Sequence, residues 1–400
     1  MTISANKSLL RSAYQKIPVQ LQWLFSPLKL AYRLSQKLRI NVWIISGIAA
    51  PKTPFTILFA GGEGNKNYIA NLAFNSSYTE VYIGRTWLWN LMRIIRKRGK
   101  DHSLLVVEMN KAFRRLFDTK GSFFIPSWIG GEVDTSSYTS KRKYAIRSDV
   151  SKLEKLNMQY EVTNERHRFE RFYTDMYLPY ITKVYGNRAF LMPYDEMMDN
   201  CENCDLILIK KDGEDIAGIL LHYKDNVANL WSVGIKGGNT AYLKDRIIGI
   251  IHYVSIHYLK QKGYEKVHFG GSRPFLKDGC LRYKKCRGLQ LTGLPRRGLL
   301  VKAFAASEGV KNFLLMNPFI YLDQGKLNGA VFVDEERCPS VNTLKDLYED
   351  YYLEGLCQLV IYMFGGGCAS ISEMVPKELS AKVSVRPAEE LFKPAFRREV

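Results

Sequence analysis

No acidic residue precedes Glu63, whereas Lys7, Arg11, Lys16, Lys29, Arg33, Lys37, Arg39 and Lys52 all do. That absence excludes an ordinary charge-balanced leading segment and marks a cationic arm. Uninterrupted apolar runs are also missing. Residues 42 to 60 come nearest, but Pro51, Lys52 and Pro54 break them in the middle, which argues against a transmembrane helix. No small-residue cleavage site follows a short apolar core, so no secretory signal is expected. The seven cysteines are odd in number and lack disulfide-framework spacing, which points to a reducing, cytoplasmic compartment. Cys201 and Cys204 form a lone C-x-x-C without a second pair at ribbon spacing, and His222, His252 and His257 have no ligand neighbour at i+4, so no metal site is expected. The glycines Gly61, Gly62 and Gly64 follow an apolar FTILFA run, but their spacing is neither a Walker loop nor a dinucleotide fingerprint, and Glu63 would repel phosphate.

What is present is ample apolar material and a strong positive charge. With 400 residues and 46% hydrophobic content the chain can bury a sizeable core, in two or three domains. A net charge of +19 favours a polyanionic partner: an acidic membrane surface, RNA such as tRNA, or a phosphate-bearing donor. Ser26 and Pro27 read as a helix start, after which Leu28, Ala31, Leu34 and Leu38 recur at helical spacing opposite Lys29, Arg33 and Lys37. Such a basic amphipathic helix fits an anionic bilayer, with peripheral attachment at the inner face of the membrane, or packing on the protein body.

Strand-like runs at 55–60 and 103–108, with a helix near 87–95, give the first region an α/β pattern. A polar, basic stretch from Ser136 to Arg147 reads as a domain boundary. Helical stretches at 149–157 and 164–184 then precede strands at 205–210, 216–223 and 227–234, separated by Lys211-Asp212-Gly213 and Lys224-Asp225-Asn226 turns, a meander pattern. A helix over 243–262 and a strand at Val267 to Phe269 follow. The expected division is a basic helical arm over 1–41, a first α/β domain over 42–148, a second over 149–335 and a helix-strand extension over 336–400.

The densest stretch is 267–288, VHFGGSRPFLKDGCLRYKKCRG. Gly270 and Gly271 permit a sharp exit from the strand. Pro274 disfavours helix at Arg273 and so presents its guanidinium from a stiff extended loop. Arg282, Lys284, Lys285 and Arg287 then supply four cations that suit an anionic ligand. This run resembles Fem-like acyltransferases of the GNAT superfamily, including the cellulose-biosynthesis (CelD-like) and antimicrobial-peptide-resistance branches. YKKCRG is similar to a motif of the peptidoglycan-bridge aminoacyl transferases, with Tyr283, Lys284 and Gly288 at the matching positions.

The resemblance implies an α+β fold with a GNAT-like mixed sheet flanked by helices, two such units, and N-acyl transfer to an amine of a cell-envelope or polysaccharide precursor. The donor would be acyl-CoA or aminoacyl-tRNA, bound as substrate with no tightly held cofactor; the acceptor would be an amine-bearing sugar or peptide. It assigns substrate binding to Arg273, Tyr283, Lys284 and Trp231. Lys236, Gly237 and Gly238 stand where the superfamily carries its pyrophosphate loop, but without the usual Arg-x-x-Gly-x-Gly spacing. His268, near-neutral if unperturbed, and Asp278 are the candidate bases. As loop cations, Arg273 and Lys284 are expected to matter little for folding. An inactive GNAT-like scaffold that binds an anionic lipid or polysaccharide intermediate, and an RNA-binding protein, remain open alternatives.

Overall fold

The computed structural model describes residues 39–392, apart from 50–52, 76, 99–101, 118–120, 141–142, 187–190, 305, 335–339 and 366–374. The basic helix expected from residue 26 lies outside the described residues up to position 38. Arg39 to Asn41, assigned to that arm, instead open a strand.

The apolar run at 42–60 forms a hairpin of β1 (Arg39–Ala49) and β2 (Thr53–Gly61), paired from Asn41↔Gly61 to Ala49↔Thr53. Of the residues that interrupt the run, Pro54 lies in β2 opposite Ile48, while Pro51 and Lys52 lie outside the described residues. α1 (Glu63–Phe74) follows Gly62 and ends on Asn75, whose φ of 46° is a left-handed cap. β3 (Tyr78–Trp87) returns to pair with β1, and α2 (Leu88–Arg98) buries Leu88, Leu91 and Ile95 at helical spacing. β4 (Leu104–Asn110) lies parallel to β2, and β5 (Ser122–Pro126) and β6 (Gly130–Asp134) come next.

α3 (Tyr144–Lys155), β7 (Gln159–Thr163) and a helical stretch ending in α4 (Leu178–Tyr185) lead into the meander β8 (Cys204–Lys211), β9 (Glu214–Lys224) and β10 (Val227–Ile235). Its turns hold paired left-handed residues, Asp212 with Gly213 (φ 53° and 83°) and Asp225 with Asn226 (49° and 59°), the geometry that matches strand twist in tight hairpins. α5 (Ile247–Gln261), β11 (Lys266–His268), α6 (Gly279–Cys286), β12 (Gln290–Thr292) and β13 (Arg297–Ala303) follow. Finally β14 (Phe319–Asp323), β15 (Lys326–Asp334), β16 (Gln358–Phe364) and β17 (Val383–Pro387) form a third sheet in chain order.

The first sheet runs β3-β1-β2-β4-β13-β5 and the second β12-β6-β11-β10-β9-β8-β7. Both contain the same strand arrangement: an antiparallel pair (β1–β2, β9–β10), then a parallel neighbour (β4, reached by way of α1, β3 and α2; β11, reached through α5), then two antiparallel strands (β13 and β5, β6 and β12). The chain is thus a mixed α+β fold with two units of one strand plan. The two units also exchange a strand. β6 follows β5 in sequence but pairs with β11 and β12, while β13 follows β12 yet inserts between β4 and β5.

This exchange displaces the boundaries read from the sequence. Position 148 falls inside α3, and the Ser136–Arg147 stretch belongs to the second unit, because β6 before it already pairs with β11. β13 at 297–303 belongs to the first sheet, and β14 and β15, placed in the second domain, belong with the C-terminal strands. An aromatic cluster glues the third sheet to the first: Phe123 meets Phe319, Tyr321, Phe332 and Tyr362 edge-on with centroids 4.9 to 6.1 Å apart.

Candidate functional site

In the second unit the parallel pair β10–β11 is short. Only Ala228↔Val267 and Asn229↔His268 are in register, after which β10 continues to Ile235 while the other chain turns away at Gly270. Gly270 takes φ 67°, and the strand's continuation stays against the exchanged strand through Phe269 N–H to Gly131 O and reciprocal bonds between Ser272 and Ile129. The two parallel strands therefore split, and the backbone of β10 beyond Asn229 has no strand partner on that side. Trp231 is the extra residue of a bulge, lying between the pairs Leu230↔Leu221 and Ser232↔Leu220. Its ring lies tilted against His222 of β9 with centroids 4.9 Å apart, so the side chain expected to bind substrate packs on the neighbouring strand.

α6 closes one side of this split. Asp278, expected as a base, caps the helix: its carboxylate accepts the Leu281 N–H at 3.0 Å. Lys284 is 7% exposed, and its ammonium donates to the carbonyls of Gly270 and Gly271 at 3.0 and 2.8 Å. Burial holds its pKa below the ordinary lysine value. Cys280, exposed on the first turn of α6, brings its Sγ to 3.7 Å from Ser272 Oγ. From α4, burial pushes the Tyr180 hydroxyl up to about 12, with Tyr185 and Cys280 close enough to add to the rise. Tyr185, 44% exposed at the end of α4, is raised as well, by partial burial first and then by Cys280 and Asp278. Tyr180 and Tyr185, on a helix that packs against β10, thus lie near Cys280 on the first turn of α6, and of these residues and Lys284 only Lys284 was singled out from sequence. The tyrosines lie almost a hundred residues upstream of α6 on an unremarkable helix, and nothing local marks them.

The basic run itself fans out. Arg282 points to solvent, Lys285 donates to the Glu349 carbonyl, and Arg287 is 6% exposed. Arg287 Nη2 meets Asp149 Oδ2 at 2.6 Å, and Arg246 Nε meets Asp149 Oδ1 at 2.7 Å. Asp149 is fully buried and can sit there because Gly249 has no Cβ, which would stand 2.3 Å from the carboxylate. Tyr283, expected as a substrate binder, shares its hydroxyl between His252 Nδ1 at 2.7 Å and the Ile248 carbonyl at 3.3 Å, while the Arg287 guanidinium stacks 3.7 Å from its ring centroid. As placed, it buttresses α6 against α5. The expectation of four cations on one anionic ligand is therefore corrected: two are buried with internal partners.

Arg273 stands at the seam between units. Its guanidinium is sandwiched between Tyr68 and Trp128, each 4.3 Å from the ring centroid, and Nη1 donates to Asn65 Oδ1 at 2.8 Å and to the Ser127 carbonyl at 3.1 Å. The loop is stiff as expected, because Ile320 N–H bonds the Pro274 carbonyl and Leu276 N–H bonds Pro318. Arg273 and Lys284 stand on either side of the Asp278–Gly279 turn in sequence, but both are built into the scaffold, so the expectation that they matter little for folding is corrected.

His268 ends β11 and lines a cavity of about 220 Å³ with Trp128, Thr292, Leu294 and Leu327. A Cβ at Gly130 would stand 2.7 Å from its Nε2. Burial, then the Lys284 charge, lower its pKa, against a smaller opposing effect of Glu132, so the ring is neutral at pH 7. After β10, Gly237 and Gly238 both adopt left-handed φ, 57° and 60°, and a Cβ at Gly238 would stand 2.7 Å from the Pro179 carbonyl. Glycine is thus required at Gly238. Lys236 is exposed and paired with Glu214 at 2.9 Å, which offsets the single cation of that turn.

No protein-family model and no curated protein matches the chain. Among solved structures, similarity extends to L-PGS from Bacillus licheniformis, with 11% identity, 68% of this chain and 87% of that one covered, and a TM-score of 0.34. It extends to FemX, with 13% identity, 63% and 82% covered, and a TM-score of 0.33. A GCN5-related N-acetyltransferase from Kribbella flavida is similar at 9% identity, with 74% and 64% covered and a TM-score of 0.26.

Proposed function

We propose that the chain is an N-acyltransferase that moves an acyl or aminoacyl group from an activated ester or thioester to an amine, with the reaction centred in the split between β10 and β11. The observation that carries this reading is the parallel pair that opens after two paired residues. It leaves an unpaired β10 edge that carries the bulge at Trp231, with Lys284 holding the Gly270 and Gly271 carbonyls on the other side. Unpaired strand N–H and C=O groups suit an extended amide-bearing donor, and a bulge frees a backbone donor for the developing oxyanion. Tyr180 and Tyr185 stay protonated at neutral pH and so can donate to the oxyanion or to the leaving group.

The amine acceptor is assigned to the cavity beside His268, the last β11 residue paired with β10 before the two strands part. A neutral imidazole there can take the ammonium proton before attack. The tetrahedral intermediate then collapses with loss of the thiol or hydroxyl leaving group, protonated by a tyrosine. Lys284 acts chiefly by fixing the Gly270–Gly271 carbonyls and thereby the shape of the split. Asp278 acts through its cap on α6, and Lys236, Gly237 and Gly238 shape the donor's entry. The acceptor class is an amine-bearing sugar or peptide of a cell-envelope or polysaccharide precursor, and the basic surface suits work at the inner face of an anionic membrane. No helix among the described residues is long and apolar enough to cross one.

The test is label transfer from radiolabelled acyl-CoA and charged-tRNA panels to amino sugars and short peptides, with and without anionic vesicles. Transfer by one donor class to an amine, lost in His268→Ala, supports the reading. The absence of transfer from either class to any amine would favour an inactive scaffold instead.

A further inference from the structure

The outer strands of the two larger sheets are not treated alike. β5 packs against the third sheet through Phe123, β12 is bridged to Glu354 through Gln290 and the Leu291 N–H, and β7 carries Glu161 paired with Arg168 and Lys210. Cover and charge of this kind keep a strand edge from pairing with another chain. β3, the remaining outer strand, is paired on one side by β1 and on the other by no strand among the described residues. Between Glu80 and Arg85 it carries only Val81, Tyr82, Ile83 and Gly84, and Val81 and Tyr82 are 57% and 55% exposed although they point to opposite faces. A β-branched and aromatic edge suits strand addition.

The order of residues along β3 selects the partner. A bulge falls at Ile83, since Trp43 and Val42 of β1 face Tyr82 and Gly84. Residues five apart in a regular strand point to opposite faces. Here the extra residue changes that: Glu80 stands opposite Ile45 and Arg85 opposite Asn41, four residues apart on β1, so both share one face of the sheet. Val81 and Gly84, opposite Ile44 and Val42, share the other face, as do Thr79 and Thr86, opposite Ser46 and Ile40. A second copy related by a two-fold axis normal to the sheet keeps each face on its own side, so only residues of one face can stand opposite each other. With the axis between Tyr82 and Ile83, Glu80 meets Arg85 twice, Thr79 meets Thr86, and Val81 meets Gly84, where a Cβ would find nothing within 4 Å and so leaves room for the valine.

We propose that β3 pairs antiparallel with β3 of a second copy of this chain in that register, joining the two six-stranded sheets edge to edge in an isologous dimer. Opposite charges or threonines directly across from each other stabilise a ladder, and like charges in the same place oppose it, so the order Thr-Glu-Val-Tyr-Ile-Gly-Arg-Thr is complementary to itself. Glu80 is held on its own copy by the buried Lys66, which fixes the carboxylate on the face where the other copy's Arg85 arrives. A carboxylate accepts from more than one donor, so the two contacts are compatible. The β10–β11 split lies in the other sheet and plays no part in the pairing.

Sedimentation equilibrium of the full chain, at concentrations up to about 100 µM, tests this. The measured mass should approach that of two copies. Val81→Lys places a cation on an exposed side chain of the edge and should weaken association about tenfold or more. Arg85→Glu sets like charges opposite each other at both Glu80 positions and should weaken it as much. Tyr160→Lys, at an exposed position of the β7 edge, should leave association unchanged. Thermal melts establish that each variant is folded. A wild-type mass of one copy at the highest concentration, a mass above two copies, wild-type affinity in folded Val81→Lys or folded Arg85→Glu, or equal weakening by Tyr160→Lys would overturn the proposal. Mass is read without donor or acceptor, so failure here and failure of the transfer assay are separate results.

Discussion

The two units share strand order and strand direction but finish their splits differently. In the first, β2 ends at Gly61 while β4 runs on to Asn110, and Glu108 seals the opening by accepting the Gly62 N–H at the start of α1, with Arg297 4.0 Å away. In the second, a lysine is drawn inward onto Gly270 and Gly271, and two tyrosines lie on the helix packed against β10. The same backbone device, a parallel pair that parts, offers an unpaired strand edge in both places, and the side chains decide what it is used for. The strand exchange then makes each split depend on the other unit, because β13 brings Arg297 to the first and β6 supports the Gly270–Ser272 turn of the second.

The largest effect that would break this comparison is at Asp149. Asp149→Ala leaves Arg287 buried without its counter-charge and releases α6 from α5. We expect a loss of about 3–5 kcal/mol in urea unfolding, the range for stranding a buried charge. A loss below about 1 kcal/mol would show that the second split does not rest on this cluster.

Next is Lys284→Ala, which leaves two carbonyls without their donor and a space beside Phe269. A loss of about 1–3 kcal/mol is expected, together with most transferase activity, whereas Lys285→Ala should do neither. Equal activity loss in both variants would make the run a diffuse electrostatic patch. Gly238→Ala forces a side chain into left-handed backbone against the Pro179 carbonyl and should cost about 1–3 kcal/mol, whereas Gly237→Ala, open on that side, should cost less. Thermal melts of the pair measure the difference.

Near neutral pH the smallest expected effect is pH dependence from His252. Burial, then the charges of Arg287 and Lys284, lower its pKa from 6.5 to about 3. Between those values the unfolded chain binds a proton that the folded chain refuses. Stability is therefore full above about pH 6.5 and falls as pH drops toward 3. His252→Phe should start from a lower melting temperature but show a shallower decline over that window. An equally steep decline would assign the acid limb to other groups.

What the sequence made legible was local. The meander was readable because its turns carry Asp-Gly and Asp-Asn pairs that accept left-handed angles, and those are the angles observed. Helices were expected near 87–95 and 243–262, and α2 and α5 form over Leu88–Arg98 and Ile247–Gln261. The exchanged strands were not readable: β6 and β11 pair across more than a hundred residues, and nothing in GGEVD or RGLLVKA names a partner. The hairpin of β1 and β2 was hidden because both strands are buried enough to read as one apolar run. The basic run misled for a related reason. Arg287 looks like a surface cation until Asp149, 138 residues earlier, is brought beside it. The site was legible as a region, through Gly270, Gly271 and Lys284, but not as a constellation, since Tyr180 and Tyr185 join it only through the packing of α4.

The most direct test of acyl transfer in the second split uses Cys280 as a reporter. It is exposed on α6 beside Ser272 and Lys284, while Cys357 is exposed elsewhere as an internal control. Alkylation of both thiols is followed by mass spectrometry with increasing concentrations of whichever donor supports transfer. The account predicts that the donor protects Cys280 at the concentrations that saturate transfer, with Cys357 modified at an unchanged rate. Full-rate alkylation of Cys280 under saturating donor, with transfer proceeding, would place the reaction elsewhere.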